Sequence, residues 1–558
     1  MRIFHEFIPK SYLCLTKNYS FALFKKDLIA GITVGIIALP LAMAFGISSG
    51  VSPERGLFTA IVAGFIISAL GGSRVQIGGP TGAFVVLVYD IVQRHGYEGL
   101  AISTLIAACL LIVLAICRLG SLIKYVPHPL IIGFTTGLAL IIFSAQIKDF
   151  FGLKMGSPPT DFLDKWESYF TAFPTFDSVS LMLGVGTLLV ILLVRRYLPR
   201  IPWGIAAIIL ATLASSLLHL PVETIQTRFG AIPDHLPMPS LPSFSFPLSQ
   251  LNELLMDAIA IAFLGGIESL LSCVIADGML GSRHKSNCEL FGQGIANIAS
   301  VLFGGIPATG AIARTAANVK SGAQTPLAGM IHSLTILLIL AFFSSMVSQV
   351  PLAALAAILM VVAWNMSEMD HFFRLMKAPA GDVAILVAAF FLTVLVGITF
   401  AIGVGMTLAS FLFMKRMSEF SKTIAPFQER STNGSLERFA NKKIPEGVEV
   451  FEIQGPFFFG TADMLKDLAH LSPKVFILGM HLVPMMDASG MYALKEFYQR
   501  CRKQNIALIL SGIQPQMLRD LRQFGFVSLI GERFICLHID AALAKAEELV
   551  QASQNKLV

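Results

Sequence analysis

Glu268 is the residue most able to do chemistry. It sits in the apolar run Ala258–Ala276, and the nearest other acids, Asp257 and Asp277, lie at the run's two ends. A lone carboxyl at membrane depth is costly and marks a functional site by default. Its chemistry would be the uptake and release of a proton, because burial works against its charged form. Ser272, four residues on, shares its helical face. Gly265 and Gly266 permit the close approach of a neighbour. The same carboxyl could instead be structural, bonded to backbone amides.

Two Gly/Pro-rich stretches carry the second kind of chemistry. They read Gln76-Ile-Gly-Gly-Pro-Thr-Gly-Ala83 and Gly304-Gly-Ile-Pro-Ala-Thr-Gly-Ala311, and each precedes a short apolar segment, 80–94 and 308–320. A helix that begins at mid-membrane presents free N–H groups and the positive end of its dipole. Two such starts facing each other form an anion site without a basic pocket. Two ordinary proline kinks are the competing reading. Thr81, at the start of the first segment, is counted with the candidate substrate-binding residues. Arg314, near the middle of the second, would attract an anion, pair with Glu268, or snorkel toward the cytoplasmic face. Phe45 and Phe84 would supply apolar walls, or simply core packing.

The elements that must position these residues follow from composition. The chain has 558 residues, 55% of them hydrophobic and 14% charged. Soluble domains carry about 25% charged residues, so an ordinary soluble enzyme, a disordered chain and a collagen-like fibre are excluded. Apolar runs of about 17–25 residues are membrane-crossing helices. The sequence predicts fourteen segments: 27–48, 54–71, 80–94, 98–117, 120–148 (broken near Pro127 and Pro129), 177–197, 202–220, 252–277, 288–303, 308–320, 325–348, 351–375, 382–398 and 400–417. The halves 27–220 and 252–417 each hold seven, so they are inverted repeats. Short interrupted segments at matching places in two repeats point to a midplane binding site.

Loop charge sets the orientation. Lys10, Lys17, Lys25, Lys26, Arg74, Arg118, Lys124, Arg195, Arg196, Arg200, Arg283, Lys285, Lys320, Arg374, Lys377, Lys415 and Arg416 fall on one side, which reads as cytoplasmic. The net charge of +6 belongs to this bias and not to nucleic acid. The expected organisation is a cytoplasmic segment 1–21, a transport domain 22–420, a linker 421–443 and a soluble domain 444–558. The last alternates strands (448–454, 474–480, 506–511, 534–538) with helices (461–471, 489–504, 515–524, 541–552), a small α/β pattern. Ser489 in Asp487-Ala-Ser-Gly490 would cap a helix there or be a phosphorylation point. The seven cysteines form no CxxC pair or Cys/His cluster, so no metal, disulfide framework or cofactor is expected. No removable signal peptide, nucleophile–base pair or P-loop is read.

These motifs resemble the sulfate permease (SulP) family, bacterial relatives of the animal SLC26 anion exchangers. The likeness rests on Asp27-Leu-Ile-Ala-Gly-Ile-Thr-Val-Gly35 with Pro40, Glu268-Ser-Leu-Leu-Ser272 with Ala276-Asp-Gly278, Glu289-Leu-Phe-Gly-Gln-Gly-Ile-Ala-Asn297 and Phe303–Thr315. It implies an α-helical polytopic membrane protein of 7+7 inverted segments with two half-helices, whose core moves against a gate, and a C-terminal STAS domain. It implies a homodimer in the inner (plasma) membrane, anion-site positions at Phe45, Phe84, Gly310, Ala311, Ile312 and Arg314, coupling at Glu268, and regulation at Ser489. Sodium–bicarbonate members tend to carry Asp at the coupling position and Thr in the second half-helix. Glu268 and Ile312 here favour H+ over Na+, which wants several hard oxygens. Leu41 stands where many members carry Gln. The cargo is a small anion: sulfate, bicarbonate, chloride or a dicarboxylate. The alternatives are a sodium–bicarbonate symporter, an uncoupled exchanger, and a membrane-anchored signalling scaffold whose STAS domain meets a cytoplasmic protein.

Overall fold

The computed structural model describes residues 6–16, 19–121, 126–156, 158–198, 202–242, 250–420, 422–424, 444–458, 465, 468 and 473–554. The chain forms two compact units, Met1–Thr407 and Leu408–Val558.

In the first unit a helix lies at each of the fourteen predicted segments. Among the described residues, nine helices are long and apolar enough to cross a membrane, and Trp203–Leu217 and Ala380–Leu395 are shorter apolar ones. Large apolar side chains remain exposed along them, among them Met182 and Leu192 on Ser178–Tyr197 and Phe342 on Leu327–Ser348. A lipid solvent removes the cost of that exposure.

Two predicted breaks are found, and one predicted segment divides further, each for a local reason. The break expected near Pro127 and Pro129 precedes the helix His128–Ala145, which follows Pro127, whose ring presets an extended entrance. The segment 351–375 divides between Leu352–Met366 and Met369–Leu375, where Glu368 takes a left-handed conformation at φ 44°. The helix Gly82–Ile116 is broken at Gly96, with φ 67° and ψ −175°, into 82–95 and 97–116. Only glycine holds that backbone without strain.

Small residues let these helices approach closely. A Cβ at Gly31 would lie 2.5 Å from the Ala328 carbonyl oxygen and 2.7 Å from Ile331 Cβ. That contact seats Phe21–Ser48 against Leu327–Ser348. Asp27, fully buried, fixes the same pair from its end. Its carboxylate accepts from Gln324 N at 2.7 Å, Thr325 N at 3.0 Å, Thr325 Oγ1 at 2.6 Å and Tyr19 OH at 3.1 Å. A carboxylate satisfies the free amides at a helix start and suits its dipole.

The second unit is a five-stranded sheet. Lys422–Ile424 pairs antiparallel with Val448–Gln454, which is followed by parallel Val475–Gly479, Ala507–Ser511 and Ile535–Cys536. The first strand lies within the stretch expected to be linker. Alternate residues serve opposite faces. Phe451, Ile453, Phe476 and Leu478 pack with Leu494, Phe497 and Leu521, while Val448, Val450, Val475 and Ile477 pack with Ala542, Ala546 and Val550. The helix expected at 461–471 falls largely outside the described residues.

Gly31→Leu is expected to force the first helix off Leu327–Ser348. Overpacking of this kind costs about 1–3 kcal/mol. Detergent-solubilised protein should melt several degrees lower by fluorescence-detected size exclusion, and an unchanged melting temperature would refute this contact.

Candidate functional site

The two Gly/Pro stretches meet. Gly78 and Gly79 pair antiparallel with Gly310 and Thr309, a two-residue ladder inside the helical unit. The half-helices therefore begin later than the sequence implied, at Gly82 and Ile312. Gly78–Gly79 and Thr309–Gly310 are held extended by their pairing, so neither helix starts until the chain has left the ladder. Antiparallel strands send the two chains apart, so the helices leave the ladder in opposite directions. The Ala311 N–H returns to the Ile77 carbonyl at 2.8 Å.

Side chains satisfy the remaining ladder backbone. Asn297 bonds both backbone atoms of Ala308, accepting from N at 2.8 Å and donating to O at 3.0 Å. Gln293 donates to that same carbonyl. Thr309 Oγ1 donates to the Gly265 carbonyl at 2.7 Å, tying the second strand to the helix Leu251–Leu280. Thr315 Oγ1 accepts from Ile77 N at 3.0 Å and from Ser272 Oγ at 2.9 Å. Ser272 thus serves the second half-helix, although it shares a helical face with Glu268.

Glu268 is buried, and its Oε2 accepts from Thr81 Oγ1 at 3.3 Å. Thr81 is the residue at which the first half-helix begins, yet its hydroxyl makes no cap bond. It is spent on the carboxyl instead. Arg314 forms no ion pair with Glu268 among the described residues. Its Nη2 donates to the Pro80 carbonyl, across the strand pair. The guanidinium is 3% exposed, which excludes snorkelling.

The remaining predicted residues divide in two. Phe45 lies beside Gly82, where a Cβ would be 3.5 Å from its ring, 3.2 Å from Met366 Sδ and 3.3 Å from Ile142 Cδ1. Phe45 thus borders the start of the first half-helix together with two side chains from later helices. Phe84 turns the other way, against Gly265, where a Cβ would be 3.2 Å from its ring. Gly310 and Ala311 are buried in the strand pair, and Ile312 is half-buried. Ser489 is exposed and is not the cap. Asp487 is, accepting from Gly490 N at 2.8 Å, and the helix starts at Ala488.

A second buried acid was not singled out by the sequence. Glu289 Oε2 accepts from Gly72 N at 2.8 Å and Ser73 N at 3.2 Å, and its Oε1 accepts from Ser269 Oγ at 3.2 Å. Gln76 Nε2 donates to that serine at 2.9 Å. Two amide bonds and a hydroxyl make Glu289 a structural anchor for the chain entering the first strand. Glu268, with its one side-chain hydroxyl donor among the described residues, is the acid left free to change its bonding. The spacing of Glu289, Gln293 and Asn297 at four-residue intervals on one helical face was the signal for this network.

Residues 24–389 match the sulfate permease family and residues 439–546 the STAS domain. YvdB of Bacillus subtilis (strain 168), named for sulfate transport, is 41% identical over 533 residues, covering 94% of this chain and 98% of its own. The bicarbonate transporter BicA of Picosynechococcus sp. is 29% identical over 527 residues, 91% of this chain and 92% of its own. The inward-facing structure of murine Slc26a9, an anion transporter, superposes with TM-score 0.87 over 98% of this chain and 95% of that one, at 18% identity. The transmembrane domain of a cyanobacterial BicA gives 0.61 over 70% of this chain and 98% of that one, at 29% identity.

Gly310 admits no side chain: a Cβ would overlap the Gln76 amide and lie 3.1 Å from Ser269 Cα. Gly310→Val is expected to abolish anion uptake in liposomes while the protein remains monodisperse. Wild-type uptake in that variant would rule out the strand pair as the site.

Proposed function

Because this chain belongs to the sulfate permease family of anion transporters, we propose that it is a proton-coupled secondary active transporter of a small oxyanion. The observation that carries the reading is the strand pair that opens into two oppositely directed half-helices, with Thr81 of the first bonded to Glu268. The free N–H groups at Gly82 and Ile312 would hold the anion, and Arg314 would add positive charge behind it. Phe45 would wall the site. YvdB and BicA are named for sulfate and bicarbonate, which supports an oxyanion as cargo. No nucleophile, metal cluster or cofactor chemistry is needed, and the chain is a transporter and not an enzyme.

Coupling follows from the Thr81–Glu268 bond. A charged Glu268 accepts from Thr81, and a protonated one can donate instead. Proton uptake would therefore alter the support of the first half-helix start as the anion binds. Carrying a proton with the anion removes one negative charge from the moving complex. Each elementary charge is worth about 2.3 kcal/mol per 100 mV, so coupling eases inward movement into a negative-inside cell. The core carrying both half-helices would rock against the gate helices, exposing the site alternately on each side.

The loop charges support an inner-membrane orientation with the N-terminus and STAS domain cytoplasmic. The exposed first-turn position of Ser489 suits a regulatory phosphate at a helix start, or a protein partner. Family resemblance supports a homodimer, with the domain limits 22–420 and 444–558 as read from the sequence.

Purified protein in liposomes, offered labelled sulfate, bicarbonate, chloride and a dicarboxylate under separate pH and sodium gradients, tests the reading. Uptake is expected under the pH gradient without sodium. Sodium-only uptake would identify the sodium-symport alternative, and uptake indifferent to both would identify exchange. Glu268→Gln is expected to bind anion and lose uphill accumulation. If it still accumulates anion under a pH gradient, Glu268 is structural.

A further inference from the structure

Arg314 has more hydrogen-bonding capacity than the strand pair uses. While Nη2 reaches the Pro80 carbonyl, Nη1 is buried and has no partner among the described residues. Gly79, with φ 144°, makes room for this atom: a Cβ there would lie 2.9 Å from Nη1 and 3.4 Å from Ala60 Cα. Ala60 is also where Leu327–Ser348 attaches, since Ser333 Oγ donates to its carbonyl at 3.1 Å. The residue before Ser333 is His332. It is fully buried, and neither ring nitrogen has a partner among the described residues.

Two polar groups are thus left over in the same interior, one a donor and one able to accept. Burial without a partner is costly for each, and a bond between them removes the cost at Arg314 Nη1 and at one of the two ring nitrogens. A neutral imidazole always has one ring nitrogen free to accept. Apart from Glu268, midway along Leu251–Leu280 and facing Ile312–Lys320, other charges on the surrounding helices are confined to their ends. Lys25, Lys26 and Asp27 lie near the start of Phe21–Ser48, Glu54 and Arg55 at the start of Pro53–Leu70, and Lys320 at the end of Ile312–Lys320. Arg314 is the charge that acts on the His332 ring.

We propose that His332 is a positioning residue of the anion site, its neutral imidazole accepting a hydrogen bond from Arg314 Nη1 once the two side chains turn toward each other. Held by Pro80 on one nitrogen and His332 on the other, the guanidinium keeps one orientation behind the half-helix starts. His332 touches no anion itself; it acts through Arg314. The inference rests on the reading of Arg314 as part of the anion site.

The test measures KM and Vmax for labelled sulfate in liposomes, or labelled bicarbonate where sulfate is not taken up. His332→Leu is expected to raise KM roughly tenfold with Vmax little changed, the size of one charge-assisted hydrogen bond. His332→Gln, whose amide oxygen accepts, is expected to recover most of the affinity. In an Arg314→Leu background His332→Leu should add nothing. Should His332→Leu not fold, His332→Met replaces it. A wild-type KM in Arg314→Leu would defeat the anion role of Arg314 and this proposal with it. A raised KM in Arg314→Leu beside a wild-type KM in His332→Leu, additive effects in the double variant, or no recovery in His332→Gln would overturn the positioning role alone.

Discussion

Backbone that is not helical cannot lie at membrane depth with its hydrogen bonds unmade. This chain places two such stretches, 76–81 and 306–311, in the middle of its helical unit, and much of its interior answers that demand. The ladder between Gly78–Gly79 and Thr309–Gly310 satisfies part of it. Asn297, Gln293, Thr315 and Arg314 satisfy more, while Thr309 ties the second strand to the Gly265 carbonyl. The helices that carry these residues are thereby locked in register with the ladder. Loss of Thr315 would leave the buried Ile77 N–H without its side-chain partner, which typically costs about 1–3 kcal/mol.

The same demand explains the different surroundings of two buried acids. Glu289 is saturated by backbone amides and a serine, and it holds the chain that leads into the first strand. Its charge state is part of the scaffold. Glu268 meets the site through one threonine at a helix start. A carboxyl with few fixed donors can exchange the role of acceptor for that of donor without dismantling its surroundings. What already holds each acid separates the two, and not burial, which they share.

In the sheet unit, the exposed turn is separated from the packed core. The central strand Val475–Gly479 is buried along its whole length, as a parallel strand covered on both faces must be. The turn from Met486 to Gly490 carries its cap on Asp487 and leaves Ser489 on the surface. A residue freed from capping can be modified without loss of the helix.

The sequence by itself determined the class of this protein and the two stretches at which its helices are interrupted. Helix length and apolar content are local properties, so fourteen helical segments and an α/β domain were legible, and proline and glycine marked where helices must break. Glu268 and the two helix starts were legible as candidates, since each follows from residue type within one segment. Tertiary structure alone decided the partners. That the two Gly/Pro stretches pair as strands, that Thr81 spends its hydroxyl on Glu268, and that Arg314 reaches Pro80 and not Glu268 all depend on segments about 190 to 240 residues apart, and that Ser272 turns to Thr315 depends on two helices that are not consecutive. Helical periodicity tells which residues share a face. It does not tell which face of another helix will meet them, because that is fixed only when every buried polar group has found its bond.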